Sequence, residues 1–242
     1  MRKLIITALL LLSPGILLAA GAGPHLEKAD IDLHDQGSLQ RGAKYFVNYC
    51  MGCHSLQYMR YNRLAKDLDI DEVTLRETLL FGEAKPGDLM ENAMRPEDAL
   101  AWFGVAVPDL TLVTRWRSPD WVYTYLKSFY VDPTRPYGVN NVVFPAVGMP
   151  HGLSDLQGIQ EPVMGHDAAG APVVTGVRLV KQGRLSPQEY DAMVRDITAF
   201  LTYAGEPIQL ERQRLGLYVL LFLGFLFIIA YLMKKEFWKD VH

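Results

Sequence analysis

The two cysteines of this 242-residue chain lie in one short stretch, Cys50-Met51-Gly52-Cys53-His54. Two thiols separated by two residues can each add to a vinyl group of the same haem, and a histidine directly after them can bind the iron. The pattern therefore predicts one covalently attached haem c, with Cys50 and Cys53 as attachment sites and His54 as an axial ligand. Because a haem of this kind carries electrons, we expect the chain to function in electron transfer.

A zinc site, a strained local disulfide and a dithiol redox centre also use a pair of nearby cysteines. Zinc would need further ligands at suitable spacing, but no second cysteine pair exists and the other candidate histidines are scattered singly. They are His25, His34, His151 and His166. A dithiol centre would need a strand leading into the motif, whereas residues 41–49 have the pattern of a helix that carries Phe46 and Tyr49 toward a core.

The second axial ligand must come from a distant methionine or histidine. Most methionines have another explanation: two lie too near the motif, two are spaced like an apolar helix face, one falls on a helical stripe and one in an apolar terminal segment. In the same order, these are Met51, Met59, Met90, Met94, Met193 and Met233.

Met149 and Met164 remain, in a stretch without regular periodicity. Met149 follows Gly148 and precedes Pro150, and so stiff a segment could present a thioether with little loss of entropy. Met149 is therefore the predicted ligand, with Met164, a histidine or an open position as alternatives. A His/Met pair raises the reduction potential of a haem.

Both ends of the chain suggest a membrane context. Arg2 and Lys3 precede an apolar run and then small residues, which is typical of a secretory signal cut near residues 20–22, with a retained anchor as the alternative. Residues 215–233 carry no charge and are long enough to cross a bilayer as a helix. We expect a signal at 1–20, an extracytoplasmic haem c domain at 21–211, a transmembrane helix at 212–235 and a cytoplasmic tail at 236–242.

The charge of the chain disfavours nucleic acid as a partner. It has 24 basic and 27 acidic residues, and loss of Arg2 and Lys3 with the signal would leave 22 basic residues and a net charge of −5. An acidic domain suits a basic soluble partner drawn in by long-range attraction.

The remaining patterns predict a mainly α domain with long loops. Helices are expected at 71–81 with Gly82 as the stop, after Ser118 with an apolar face that reaches Phe129, and after the capping box at Ser186. Residues 132–170 show no sustained period, and 173–180 are expected to form a short hairpin around Gly176.

Four segments, in this order, resemble the cytochrome c1 family, which supplies the haem subunit of the ubiquinol:cytochrome c oxidoreductase (bc1) complex. They are residues 41–61 around the motif, Trp102-Phe103-Gly104, Pro108-Asp109-Leu110, and Phe144 to Pro150. The resemblance covers nearly the whole chain, including the apolar C-terminus. It implies a cytochrome c-like haem domain followed by one transmembrane helix.

The resemblance also implies roles for individual residues. Cys50 and Cys53 would carry the haem, while His54 and Met149 would ligate it. Arg117 would pair with a haem propionate, the alternative being an exposed helix-capping charge, and Pro108 would line the haem edge. The family usually has two prolines before the Asp-Leu pair, where this chain has Val107-Pro108. It also lacks the thiols for the extra disulfide of some members, so packing alone is expected to hold its loop.

By the same resemblance, the chain is no enzyme on its own but an electron-transfer subunit. It would pass single electrons from the Rieske iron-sulfur subunit to a cytochrome c, in a dimeric complex with cytochrome b. The haem domain would lie on the periplasmic side of a bacterial inner membrane. Another membrane-anchored c-type haem carrier, such as an oxidase haem subunit, is the closest alternative; a peroxidase would need an open iron position.

Overall fold

The computed structural model describes residues 25–167 and 169–240. Its helices are α1 (Gln36–Tyr49), α2 (Tyr61–Asp67), α3 (Glu72–Thr78), α4 (Pro96–Phe103), α5 (Val113–Arg117), α6 (Pro119–Lys127), α7 (Ser154–Gln157), α8 (Pro187–Gly205) and α9 (Gln209–Phe237). Its strands are β1 (Leu56–Arg60), β2 (Leu89–Met90), β3 (Phe129–Val131), β4 (Val139–Asn141), β5 (Gly158–His166) and β6 (Pro172–Gln182). The predicted signal segment lies outside the described residues. The mainly helical domain, followed by one long apolar helix, is confirmed.

The centre of the core is the contact between α1 and α8. Phe46 and Phe200 are fully buried, and their ring centroids lie 5.7 Å apart. The Ser38 hydroxyl donates a 2.6 Å hydrogen bond to Asp196 Oδ1, and the Arg41 guanidinium pairs with the same carboxylate. This contact fixes the end of α1, from which the cysteine motif follows directly.

Gly42 allows the two helices to approach so closely. A Cβ at this position would lie 2.1 Å from the backbone oxygen of Asp196 and 2.7 Å from Phe200 Cβ, closer than real atoms come. Since the nearest atom is backbone, a side chain here must push the helices apart.

We therefore expect Gly42→Ala to lower the free energy of unfolding by about 1–3 kcal/mol, as overpacking of a close-packed core does. Denaturant unfolding followed by circular dichroism measures the change. Gly37→Ala, in the first turn of the same helix, is the matched control, because an added Cβ there meets side-chain atoms of Arg41 and Asp35 at 3.3 Å. Equal stability of Gly42→Ala and wild type would contradict the packing described.

Helix α8 begins and ends as predicted. The Ser186 hydroxyl accepts from Glu189 N–H while the Glu189 carboxylate accepts from Ser186 N–H, which completes the capping box, and the helix ends at Gly205. Met193 is buried in the core, as its helical stripe predicts. These features were predictable because they depend on residues within one turn.

Several local predictions were wrong. Helix α3 ends at Thr78 rather than at residue 81, and α6 ends at Lys127, so Phe129 belongs to β3 instead of the helical face. Tyr49 is 40% exposed although Phe46, three residues earlier, is buried. Met90 lies in β2, where it is fully buried, and not on a helix.

The largest difference concerns residues 132–170, which contain β4, α7 and all of β5. Strand β5 pairs antiparallel with β6 over its full length, and Gly176 lies opposite Val163 in mid-strand rather than in a turn. The reversal is instead made around Asp167, whose side chain accepts from Ala169 and Ala171 N–H at 2.9 Å. The hairpin is largely exposed, so its strands lack the apolar alternation that would have revealed them.

A cluster of partly exposed charged side chains holds α6 against α8. Lys127 Nζ lies 2.7 Å from Asp191 Oδ1 and 2.5 Å from Glu27 Oε2, and Tyr123 and Arg195 also donate to Asp191. Burial opposes ionisation of Asp191, but the donors outweigh it and hold its pKa at about 2. The cluster keeps α6, and with it Tyr125, in a fixed position.

Helix α9 is long and apolar enough to cross a membrane, and no residue of its most apolar window is buried against the rest of the chain. It encloses the predicted span at 212–235 and extends a few residues beyond it at both ends. The lysines Lys234 and Lys235 lie in its last turn.

Candidate haem-binding site

The cysteine motif forms a tight turn at the end of α1. Cys50 caps the helix, and the N–H groups of Cys53 and His54 both donate to Cys50 O, at 3.0 and 2.8 Å. The two cysteines are half-buried and are not joined in a disulfide. The turn therefore places both thiols and the imidazole within one short loop that a rigid helix positions.

The hydrogen bond of His54 determines which ring nitrogen is available. Its Nδ1 lies 2.8 Å from the Pro108 carbonyl oxygen, which can only accept, so Nδ1 carries the proton. That leaves Nε2 as the nitrogen with a free lone pair. Burial lowers the pKa of His54, outweighing the Pro108 bond and the nearby Asp109 charge, which favours the neutral ring that binds a metal.

The segment carrying Pro108 is held beside the motif by hydrogen bonds. Leu110 N–H donates to Ser55 O at 3.0 Å, and the Asp109 carboxylate accepts from the N–H groups of Gln57 and Thr111 at 2.8 and 2.9 Å. The sequence pattern gave no indication of this role of Asp109. The orientation of His54 thus depends on a segment more than fifty residues away, in a manner typical of metal-binding histidines.

Met149 lies in an irregular segment, residues 142–150, which we term the Met149 loop. The Tyr125 hydroxyl donates to Met149 Sδ at 3.3 Å, so the thioether faces α6. Burial raises the pKa of Tyr125, which keeps the phenol protonated and able to donate. The alternative ligand Met164 lies in β5, not in a loop, and is 59% exposed.

Four aromatic side chains, which we term the aromatic cluster, lie together; three come from α6 and β3 and the fourth from the Met149 loop. They are Trp121, Tyr125, Phe129 and Phe144. Trp121 stacks on Tyr125 with centroids 4.9 Å apart, and Tyr125 meets Phe129 edge-on at 5.1 Å. Such a cluster offers aromatic side chains against which a porphyrin could pack.

His151 is engaged elsewhere, although it lies only two residues after Met149. Its ring stacks on Phe129 at 4.6 Å, and Nε2 lies 2.7 Å from Gln157 Oε1. Burial lowers the pKa of His151 to about 4, against the opposing effect of Gln157. A histidine held by two partners in this way is a poor competitor for the iron.

Arg117 ends α5 with its guanidinium against aromatic rings, 3.9 Å from the Trp116 centroid and 5.0 Å from that of Trp121. Within the described ranges no carboxylate lies within 4.0 Å of it, unlike Arg115, which pairs with Glu206. Arg117 thus carries a charge beside the aromatic cluster, and its pairing with a propionate stays a prediction.

The segment from Val105 to Pro108 contacts both the motif and the Met149 loop. The Pro108 carbonyl oxygen lies 2.8 Å from His54 Nδ1. Three residues earlier, Val105 lies against Gly148, where an added Cβ would come within 3.1 Å of Val105 Cγ2. One short segment therefore touches both the predicted histidine ligand and the residue next to Met149, although the two predicted ligands are almost one hundred residues apart in sequence.

The donor set fits a haem better than the alternatives. Burial raises the pKa of Cys50 to about 12, the opposite of what a nucleophilic dithiol requires. Among residues 25–167 and 169–240, no group of three or more His, Cys, Asp or Glu side chains could hold a metal ion, as a zinc site would. A haem c site uses two thiols, a neutral imidazole with Nε2 free, a distant thioether and aromatic side chains, and this chain offers each of them.

Comparison with known proteins gives the family. The model of the cytochrome c1 family matches residues 27–241. The chain is 75% identical to cytochrome c1 of Allochromatium vinosum, with all of both chains covered, and 43% identical to a Nitrosomonas europaea protein named ammonia monooxygenase gamma subunit, covering 100% and 99%. It is also 24% identical to the mitochondrial cytochrome c1 haem protein of Kluyveromyces lactis, over 87% of this chain and 73% of that one. A match over almost the full length shows that this chain belongs to the cytochrome c1 family.

Proposed function

We propose that this chain is the haem c subunit of a respiratory bc1 complex and that it relays single electrons from the Rieske iron-sulfur subunit to a cytochrome c. One haem c would be bound through Cys50 and Cys53, with His54 and Met149 as axial ligands. The observation that carries the proposal is the geometry of His54, which follows the two thiols directly and has only Nε2 left to bind a metal. Catalysis would belong to the assembled complex.

A bound haem c supplies a one-electron Fe(III)/Fe(II) couple. The chain's part is to select ligands and exclude others. The Pro108 carbonyl fixes the ring of His54, and the hydroxyl of Tyr125 holds the sulfur of Met149 at 3.3 Å. Because a thioether donates weakly and carries no charge, His54 and Met149 as a pair would favour the reduced state of a bound haem and raise its potential. With both side chains bound, the haem would have no free position for peroxide or oxygen.

The placement in the membrane follows from the two ends of the chain. Helix α9 would anchor the haem domain, and Lys234, Lys235 and Lys239 would remain on the cytoplasmic side. Arg212 and Arg214 on the other flank weaken the charge argument, so export of the N-terminal part by a signal segment is the stronger reason for a periplasmic haem domain. Partnership with cytochrome b and a dimeric complex are part of the same proposal.

A second candidate is the same haem relay in a different membrane complex. The 43% identical relative from Nitrosomonas europaea, named as a monooxygenase subunit, is the observation that favours it. The haem chemistry would be unchanged, and only the partner surfaces would differ. An oxidase complex belongs to the same class of alternative.

Isolation of the intact complex in mild detergent separates these candidates. We expect the chain to co-purify with a b-type cytochrome and a Rieske protein, and its haem to be reduced by quinol only when both are present. Co-purification with an oxidase or monooxygenase core would contradict the proposal. Binding of carbon monoxide to the reduced haem at neutral pH would instead indicate an open iron position and a haem enzyme.

A further inference from the structure

The Met149 loop has almost no backbone hydrogen bonds of its own. It belongs to no helix or strand, and its Ala146 has φ of +61°, a left-handed conformation that is unfavourable for alanine. The chain has no cysteine left to brace it, because both lie in the motif. Side chains must therefore hold the loop in shape.

Those side chains come from the β3–β4 hairpin. Asn141, fully buried at the end of β4, accepts from the N–H groups of Val143 and Phe144 at 2.9 and 3.1 Å. Asn140 Oδ1 accepts from Ala146 N–H at 2.9 Å, and its Nδ2 donates to Asp132. Packing alone was expected to hold the loop, and that expectation was wrong.

Arg135, in the turn of the same hairpin, reaches furthest along the loop. Its Nη2 donates to the carbonyl oxygens of Ala146 and Val147, at 2.8 and 3.3 Å, two to three residues before Met149. The turn itself is rigid, because the backbone bonds Arg135 N–H to Asp132 O and Gly138 N–H to Arg135 O are both 3.0 Å. The Arg135 Nε atom is buried and has no partner among the described residues, so the bonds from Nη2 to the two carbonyls must offset the cost of burying it.

We propose that Arg135 is a positioning residue that keeps the Met149 loop closed and thereby keeps the Met149 sulfur on the iron. The inference rests on the proposed function, since it requires Met149 to be a ligand. A thioether is a weak ligand, so its occupancy of the iron depends on how rarely the loop opens. Charge-assisted bonds to two consecutive carbonyls act on that opening equilibrium, not on the iron chemistry itself.

The test uses the full-length haem-loaded protein purified in detergent. In the oxidised form, the sulfur-to-iron charge-transfer band reports the bound thioether, and its loss with rising pH reports loop opening. Arg135→Ala removes both bonds to the loop, of which the 2.8 Å bond to Ala146 O has the better length. We expect the open fraction to increase about tenfold, the effect of losing one good charge-assisted hydrogen bond. The pH midpoint for loss of the band should then fall by about one unit, and carbon monoxide should bind the reduced haem.

Arg135→Lys should recover part of this shift, because an ammonium can still donate to one carbonyl. Arg178→Ala is the control, since it removes an arginine whose exposed side chain pairs with Glu161 on the β5–β6 hairpin. A wild-type midpoint and exclusion of carbon monoxide in Arg135→Ala would overturn the inference. If that variant does not load haem, Arg135→Gln replaces it, and failure of both would assign Arg135 to folding and overturn the inference as well.

Met149→Leu, measured in parallel, separates this inference from the proposed function. If Met149→Leu retains the band, the ligand assignment fails whatever the Arg135 variants show. If Met149→Leu loses the band and the Arg135 variants behave as wild type, the positioning role alone fails.

Discussion

Replacing Met149 with leucine is expected to abolish the sulfur-to-iron charge-transfer band while leaving the haem covalently attached. Leucine has nearly the same volume as methionine, so the Met149 loop should keep its shape, but it offers no atom that can bind iron. Tyr125 would lose the acceptor for its hydroxyl. The iron would become five-coordinate or would take a water or another side chain.

The functional consequence should be large. Axial ligands set haem potentials over a range of ~0.8 V, and loss of the thioether should lower the potential of this haem by on the order of 100 mV or more. Electrons from a Rieske protein would then no longer flow downhill to the haem. A redox titration, together with the rate of haem reduction by quinol in the intact complex, measures both effects.

Met164→Leu is the matched control for this substitution. It removes a sulfur from an exposed position in β5, where Met164 pairs with Val174 of the neighbouring strand. We expect an unchanged band and potential. Loss of the band in Met164→Leu and its survival in Met149→Leu would exclude Met149 and favour Met164 as the ligand.

The second large effect is expected from Cys50→Ser combined with Cys53→Ser. A serine hydroxyl is too weak a nucleophile to add to a haem vinyl group as a thiol does, so the protein should carry no haem after denaturation. Without the porphyrin, the aromatic cluster and the Met149 loop would lose the surface against which we expect them to pack. The protein should therefore accumulate at a much lower level in the membrane.

Haem-specific staining of denatured membranes, alongside immunodetection of the chain, measures both outcomes. Gly52→Ala is the control within the same motif, because an added Cβ there meets no atom within 4 Å among the described residues other than its two chain neighbours. It should stain like wild type. Equal staining of the double-serine variant would contradict covalent attachment through these thiols.

The parts of the fold that the sequence revealed are those that local chemistry decides. The cysteine motif, the Ser186 capping box and the uncharged C-terminal helix each depend on residues within a few positions of one another. The β5–β6 hairpin could not be recognised in this way, because Pro162 and Gly176 interrupt its strands and most of its side chains face solvent. The Asp167 turn is the one local signal that could have indicated it.

The candidate site also has a part that the sequence could predict and a part that it could not. Its metal-binding atoms could be predicted because only certain side chains bind iron. Its supporting contacts could not be predicted, since they involve backbone carbonyls, which every residue possesses. His54 bonds to the carbonyl of Pro108, and Arg135 donates to the carbonyl of Ala146. Tyr125 lies on the apolar face that was predicted for the helix after Ser118, and nothing in its spacing indicated a hydrogen bond to a methionine twenty-four positions away.

Covalent attachment of one haem through Cys50 and Cys53 is the claim on which the ligand assignment and the electron relay depend. Mass spectrometry of a tryptic digest tests it most directly, because cleavage after Lys44 and Arg60 releases the whole motif in one peptide, residues 45–60. We expect this peptide to carry the added mass of one haem and to have no thiol that an alkylating reagent can modify. A haem-free peptide that takes up two alkyl groups would contradict it.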